Sequence, residues 1–137
     1  MIEQLLLITG ATILGVLGSM HLLYTFASKK FDARDEAVTE AMKNASPVIT
    51  RETTMWNAWI GFNASHSLGA ILITAFYVPL ALSHMQLIRE SLWFSILPVL
   101  IGLSYLVLAK NYWFKIPFIG IAISTACFIT AAVLINS

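Results

Sequence analysis

Two histidines and an asparagine lie in stretches of sequence that otherwise contain mainly apolar and small residues. His21 lies within Gly18-Ser-Met-His-Leu-Leu-Tyr-Thr, and Asn63 and His66 lie within Trp59-Ile-Gly-Phe-Asn-Ala-Ser-His-Ser. Imidazole and amide groups inside a membrane are by default candidates for a ligand, proton or cofactor site. The alternative is an interhelical hydrogen bond that only joins the helices.

Helical spacing places three more side chains beside these groups. Residues three and four positions apart share one face of a helix, so the polar faces of two helices can meet at a close contact between them. The chain is therefore predicted to bind a ligand, a cofactor or a lipophilic molecule between its first two long helices. The predicted site residues are His21, Tyr24, Trp59, Asn63, His66 and Ser67.

The two histidines also raise the question of a haem or a metal ion. At a rise of 1.5 Å per residue, His21 lies on the order of 10 Å from the end of its helix and His66 on the order of 18 Å into the next. This offset disfavours a haem with both rings as ligands, whereas a haem bound through one ring stays open. A zinc site needs three or four ligands, and the apolar stretches add only Cys127 to His21 and His66. Metal binding by the two histidines stays open as well.

The sequence contains four long apolar runs, and the predicted site residues lie in the first two. Hydrophobic residues make up 58% of the 137 residues and charged residues 11%, with a mean hydropathy of +0.81, which is far more apolar than an ordinary soluble domain. A bilayer core about 30 Å thick takes roughly 20 apolar residues per helix. The sequence therefore predicts an all-α integral membrane four-helix bundle, with residues 1–137 as a single transmembrane domain. The predicted spans are 5–27, 55–82, 91–109 and 113–135.

Basic residues concentrate in two of the three connections between these spans. Loop 28–54 contains five, the connection at 110–115 contains two, and the remaining connection contains Arg89 alone. Basic residues favour the cytoplasmic side, so loop 28–54 and residues 110–115 are predicted to be cytoplasmic and both termini to lie outside. The acidic Glu3 and the length of the first apolar run predict a retained helix instead of a cleaved signal peptide. The net charge of +1 gives no reason to expect nucleic acid as a partner.

Loop 28–54 is too long for a simple turn and is predicted to be partly helical. Asp32 can cap a helix with Asp35 in its first turn and Lys43 in its last turn, in the sense that the helix dipole favours. Alternatively, the serine and proline at 46–47 can start a helix that runs directly into the second span. The sequence leaves both arrangements open.

Small residues recur at four-residue spacing in three of the spans. Such spacing lets membrane helices approach closely, and it predicts seams between helices of the same chain, with a homo-oligomer face as the alternative. The residues concerned are Ala11, Gly15 and Ser19, then Gly61 and Ser65, and finally Gly120 and Ser124.

Three motifs resemble an uncharacterised family of small bacterial membrane proteins. They are the Gly18 to Phe26 stretch, Arg51-Glu-Thr-Thr-Met-Trp and Gly61-Phe-Asn-Ala-Ser-His-Ser-Leu-Gly. The likeness covers mostly the first half of the chain. It implies a bacterial inner membrane and four helices, but it implies no activity, so no catalytic residue follows from it.

Several functions are consistent with these features. The first is the membrane protein with a binding site described above, and the second is a non-catalytic accessory or assembly subunit of a larger membrane complex. A third is a small transporter in which His21 and His66 relay protons, since imidazole changes charge near neutral pH. The apolar runs contain no Ser-His-Asp triad, phosphate-binding loop or paired carboxylates. A membrane enzyme acting on a quinone or lipid stays open, although nothing identifies a reaction. The expected partners are the lipid bilayer and either a homo-oligomer or a larger membrane complex.

Overall fold

The chain folds into six α-helices and no β-strand in the computed structural model, which describes residues 1–137. The helices are α1 (Ile2–Ala27), α2 (Glu36–Asn44), α3 (Met55–Ser83), α4 (Met85–Glu90), α5 (Leu92–Tyr112) and α6 (Lys115–Asn136). Four of them, α1, α3, α5 and α6, are long and apolar enough to cross a bilayer. The prediction of an all-α fold with four long apolar helices is therefore confirmed.

Contacts divide the chain into two compact units, of which the first, the bundle unit, comprises Met1–Leu17 and Ala70–Ser137. It contains the first part of α1, the second part of α3, and all of α4, α5 and α6. These helices surround one hydrophobic core, as expected where apolar faces turn towards one another. The buried core residues are Leu7, Ala11, Leu14, Tyr77, Ala81, Met85, Ile88, Ile121, Phe128 and Ala131.

Glycines let the helices of the bundle unit approach one another closely. A Cβ atom added to Gly15 would lie 2.7 Å from Thr74 Oγ1, and one added to Gly120 would lie 2.8 Å from Leu17 Cδ1. The Thr74 hydroxyl uses this close approach to donate a hydrogen bond to the Ala11 carbonyl of α1. The predicted seams at Gly15 and Gly120 are therefore confirmed.

The helix α4 was not predicted from the sequence. Its buried residues, Met85 and Ile88, are three positions apart and join the core of the bundle unit. Arg89, at the end of the same helix, forms an ion pair with Glu3 at the start of α1, with 2.6 Å between nitrogen and oxygen. The three-residue spacing of Met85 and Ile88 is the signal in the sequence that predicts one apolar face on a short helix.

The second unit, the hairpin unit, comprises Gly18–Gly69. It contains the end of α1, the loop with α2, and the first part of α3. Within it α1 and α3 run antiparallel, because His21 of α1 meets Asn63 of α3, while Phe31, just beyond α1, meets Trp59, nearer the start of α3. This hairpin positions the predicted site residues.

The loop helix begins three residues later than the sequence predicts. Asp35, and not Asp32, is the N-cap of α2, since its Oδ1 accepts a hydrogen bond from the Ala37 amide at 2.9 Å. Asp32 instead belongs to a turn, in which its amide donates to the Lys29 carbonyl. Asp32 and Asp35 are both suitable N-cap residues. Because Asp32 takes part in the turn, Asp35 is the residue that caps α2.

The alternative start of a helix at residues 46–47 is wrong. The Thr50 amide donates to the Pro47 carbonyl in a turn, and α3 begins only at Met55. The Met55 amide also donates to the Ala45 carbonyl at 2.8 Å, which joins the end of α2 to the beginning of α3. The loop is therefore partly helical, as predicted, but the helix ends before Ala45.

The predicted seam at Gly61 and Ser65 is wrong within the folded chain. A Cβ atom added to Gly61 meets nothing within 4 Å, and Ser65 is exposed. The buried residues of this part of α3 are Asn63 and Ser67, which lie on the other side of the helix. Four-residue spacing identifies a stripe of small residues, but it does not determine which way the stripe faces.

Candidate functional site

Three of the predicted site residues meet between α1 and α3 of the hairpin unit. His21 Nε2 lies 2.9 Å from Asn63 Oδ1. The rings of His21 and His66 are in contact, with centroids 5.4 Å apart and planes inclined at 67°. Asn63 is 6% exposed, and both imidazoles are partly buried. The cluster therefore combines two imidazoles and one amide at a single contact between helices.

Hydrogen bonds determine how the Asn63 amide and the His21 ring are oriented. Asn63 Nδ2 donates to the Trp59 carbonyl at 2.8 Å, and a carbonyl oxygen only accepts, so the amide nitrogen must face it. The amide oxygen Oδ1 then faces His21 Nε2. Because Oδ1 also only accepts, Nε2 is the donor in this hydrogen bond. In the neutral form of the ring, Nδ1 then has no proton and can accept a hydrogen bond.

The centroids of the His21 and His66 rings are 5.4 Å apart, although rise per residue places the two residues about 8 Å apart in depth. Each Cα–Cβ bond tilts towards the N-terminus of its own helix. In this antiparallel pair the His21 side chain therefore tilts away from the loop and the His66 side chain tilts towards it. Since His21 is the nearer of the two to the loop, the tilts bring the rings together. The rings therefore meet although their positions along the two helices are predicted to differ in depth.

The contact between the rings limits what can lie between them. A haem with two axial histidines occupies the space between its imidazoles, whereas these rings touch at an angle and His21 Nε2 already bonds to Asn63. Such a haem does not fit this arrangement. No group of three or more His, Cys, Asp and Glu side chains comes together in the chain, so a zinc ion would lack its usual ligands.

Phe31 covers the His21 ring and was not predicted to belong to the site. The two ring centroids are 4.4 Å apart, and the Phe31 carbonyl accepts a hydrogen bond from Trp59 Nε1 at 3.2 Å. The indole of α3 thereby holds the turn that carries Phe31. No helical spacing connects Phe31 with His21, because Phe31 lies in an irregular turn after α1.

The other predicted site residues lie around the cluster without entering it directly. The fully buried Ser67 hydroxyl donates to the Asn63 carbonyl of its own helix at 2.8 Å. The Tyr24 ring faces the loop, where Lys30 Nζ lies 3.6 Å from the ring centroid. Trp59 is 39% exposed. Ser67 therefore bonds to the backbone of Asn63 within α3. Tyr24 and Trp59 instead contact Lys30 and Phe31 of the loop that follows α1.

Comparison with protein-family models, with curated proteins and with solved structures finds no match to this chain. The resemblance to small bacterial membrane proteins thus stays a prediction from three motifs. The arrangement itself is a polar cluster of His21, Asn63 and His66 inside an apolar helical hairpin, and any function proposed for it rests on this geometry.

Proposed function

We propose that the chain is a multi-pass membrane protein in which α1, α3, α5 and α6 cross the bilayer. The support is the outward-facing surface of the bundle unit. On α5 and α6, Leu100, Val107 and Ile123 are 47%, 59% and 51% exposed, and further large apolar side chains follow along the same helices. Contiguous apolar surface of this kind promotes aggregation in water, whereas in a membrane it is covered by lipid.

The proposed orientation follows from the distribution of basic residues. Loop 28–54 and residues 110–115 carry seven of the eight lysines and arginines, and basic residues favour the cytoplasmic side. We therefore place both connections in the cytoplasm and both termini outside. The resemblance of the motifs to small bacterial proteins favours a bacterial inner membrane as the location.

Within this membrane protein, the cluster of His21, Asn63 and His66 is proposed to bind a lipophilic molecule. The observation that carries the proposal is that the His66 ring contacts His21, which already forms a hydrogen bond with Asn63. A bond that only joins two helices needs His21 and Asn63, but it does not need the His66 ring in contact with the His21 ring. The lone pair on His21 Nδ1 is an acceptor, so the expected ligand carries an O–H or N–H donor.

Replacement of His21 by phenylalanine is expected to reduce the amount of bound ligand. His21→Phe keeps a planar ring but removes both ring nitrogens, and loss of one hydrogen bond of about 1.4 kcal/mol weakens binding about tenfold. The protein is purified from membranes in mild detergent, and bound small molecules are extracted and measured by mass spectrometry per mole of protein. An ultraviolet–visible spectrum of the same sample reports any haem.

Two further variants make this measurement decisive. His66→Phe leaves the His21–Asn63 bond in place and is expected to lose ligand as well. Ser65→Ala is the matched control, since Ser65 is exposed on the same helix and its hydroxyl bonds to the Phe62 carbonyl. Equal ligand content in all four proteins, with lower stability in the histidine variants, would mean that the cluster only joins the helices.

A second candidate function, an accessory or assembly subunit, is favoured by the exposed stripe of Gly61 and Ser65. No residue of the chain lies within 4 Å of a Cβ atom added to Gly61, and small residues at this spacing let a helix of another protein approach closely. Under this hypothesis, Gly61→Leu should remove a stoichiometric partner that co-purifies with the unaltered protein in mild detergent. An unchanged set of co-purifying proteins would argue against it.

A further inference from the structure

The loop helix α2 is amphipathic, with apolar and polar residues on opposite sides. Its polar side consists of Glu36, Thr39, Glu40, Lys43 and Asn44. Its apolar side consists of Ala37, Val38, Ala41 and Met42, and Ala45 follows directly after the helix. These five residues are called here the apolar arc. In a globular protein the apolar side of such a helix normally faces the core.

In this chain the burial of α2 is the reverse of that arrangement. Ala37, Val38 and Ala41 of the apolar arc are exposed, Val38 by 47%. The buried residue of the helix is Thr39, on the polar side, and its hydroxyl has no hydrogen-bond partner. The chain therefore covers part of the polar side of α2 and leaves the apolar arc facing outward.

The apolar arc is fixed beside the beginning of a long apolar helix. Ala45, at its end, accepts a hydrogen bond from the amide of Met55, the first residue of α3. The apolar arc and Met55 together line an open groove of about 380 Å³. Between these two anchors the chain forms a turn whose side chains Val48 and Ile49 are 108% and 91% exposed.

We propose that α2 is an interfacial helix whose apolar arc, together with Val48 and Ile49, enters the boundary between lipid headgroups and acyl chains. This inference rests on the membrane location proposed above. If α3 crosses the bilayer from Met55 onward, the groove lies at the level where acyl chains begin. Amphipathic helices in this position lie in the plane of the interface with their apolar side buried about 5–10 Å. The occupant of the groove is therefore the bilayer itself.

Charge in the loop indicates that apolar insertion, and not attraction to anionic lipid, holds α2 at the surface. Loop 28–54 contains five basic and five acidic residues. Lys43 pairs with Glu40 at 2.7 Å on the polar side, and this carboxylate raises the pKa of the Lys43 ammonium. The helix therefore presents paired charges to water, and neutral lipid should suffice as its partner.

Depth-dependent fluorescence quenching tests this proposal in the full chain. Single cysteines are introduced by Val38→Cys and Ile49→Cys in a Cys127→Ala background and labelled with a fluorophore. The protein is placed in phosphatidylcholine vesicles whose acyl chains carry bromine. We expect both labels to be quenched by these lipids about threefold more than a label at Glu36→Cys, on the polar side of α2.

A label at Leu103→Cys separates failure of this inference from failure of the membrane assignment. Leu103 lies near the middle of α5 and is 42% exposed. Quenching by bromolipid at Leu103→Cys, with Val38→Cys and Ile49→Cys open to aqueous iodide, would overturn the interfacial helix and leave the membrane location intact. Protection of Val38→Cys from both quenchers would also overturn it, because a second copy or another protein would then cover the apolar arc. An unquenched Leu103→Cys label would refute both.

Discussion

Gly15→Leu is expected to destabilise the folded chain by about 3 kcal/mol, because overpacking a close helix contact forces the helices apart. A Cβ atom at position 15 would lie between 2.7 and 3.0 Å from three atoms of the Thr74 side chain. Thr74 cannot simply rotate away without cost, since its hydroxyl donates to the Ala11 carbonyl. The substitution thus removes a hydrogen bond as well as a packing contact.

The measurement is the free energy of unfolding, followed by far-ultraviolet circular dichroism as sodium dodecyl sulfate is titrated into mild-detergent micelles. Gly61→Leu is the matched control, because it is the same substitution in a long apolar helix at a position with nothing within 4 Å. Its free energy of unfolding should stay within about 0.5 kcal/mol of that of the unaltered protein. Equal losses at the two positions would contradict the close packing of α1 and α3 in the bundle unit.

Asn63→Asp is expected to destabilise the hairpin unit by about 3 kcal/mol at alkaline pH and much less at mildly acidic pH. A protonated carboxyl can donate to the Trp59 carbonyl and accept from His21 Nε2, as the amide does. A carboxylate has no proton for the Trp59 carbonyl, so two acceptors then face each other in a buried position. The folded state therefore favours the neutral carboxyl, and stability is lost as the pH rises.

The comparison for this prediction is Asn63→Leu, which removes both hydrogen bonds but introduces no titrating group. Its loss of stability should be about 1–2 kcal/mol and should follow the pH dependence of the unaltered protein. The same detergent titration, repeated across pH, provides the data. If Asn63→Asp and Asn63→Leu respond to pH in the same way, the deduced orientation of the Asn63 amide and the proton on His21 Nε2 are wrong.

The long helices could be predicted from the sequence because their signal is additive over some twenty residues. A run such as 91–109 contains no charged residue, and no change at a single position would alter its assignment. The start of α2 depends on a few atoms instead. Asp32 and Asp35 are both suitable caps, and a turn at Lys29 decides between them. Neither composition nor periodicity shows which of two neighbouring residues will cap a helix.

In the candidate site, too, the residues on helices could be predicted and the residue in a turn could not. Periodicity placed Asn63 and His66 on one face of α3 and allowed His21 to meet them, which is the contact that the structure contains. Rise per residue alone could not predict the contact between the rings, because it does not include the tilt of side chains along the helices. Phe31 could not be placed, since a turn has no repeat from which its direction follows.

The hydrogen bonds of the hairpin also bear on the order of events during biogenesis. On α3, Asn63 Nδ2 and the Ser67 hydroxyl bond to carbonyls of their own helix, and on α1 the Thr25 hydroxyl does the same. Helices whose polar side chains are paired internally can enter lipid separately. The bond between His21 and Asn63 joins two helices, so it can form only when both helices are present and in contact. In the proposed membrane setting, formation of this bond completes the hairpin.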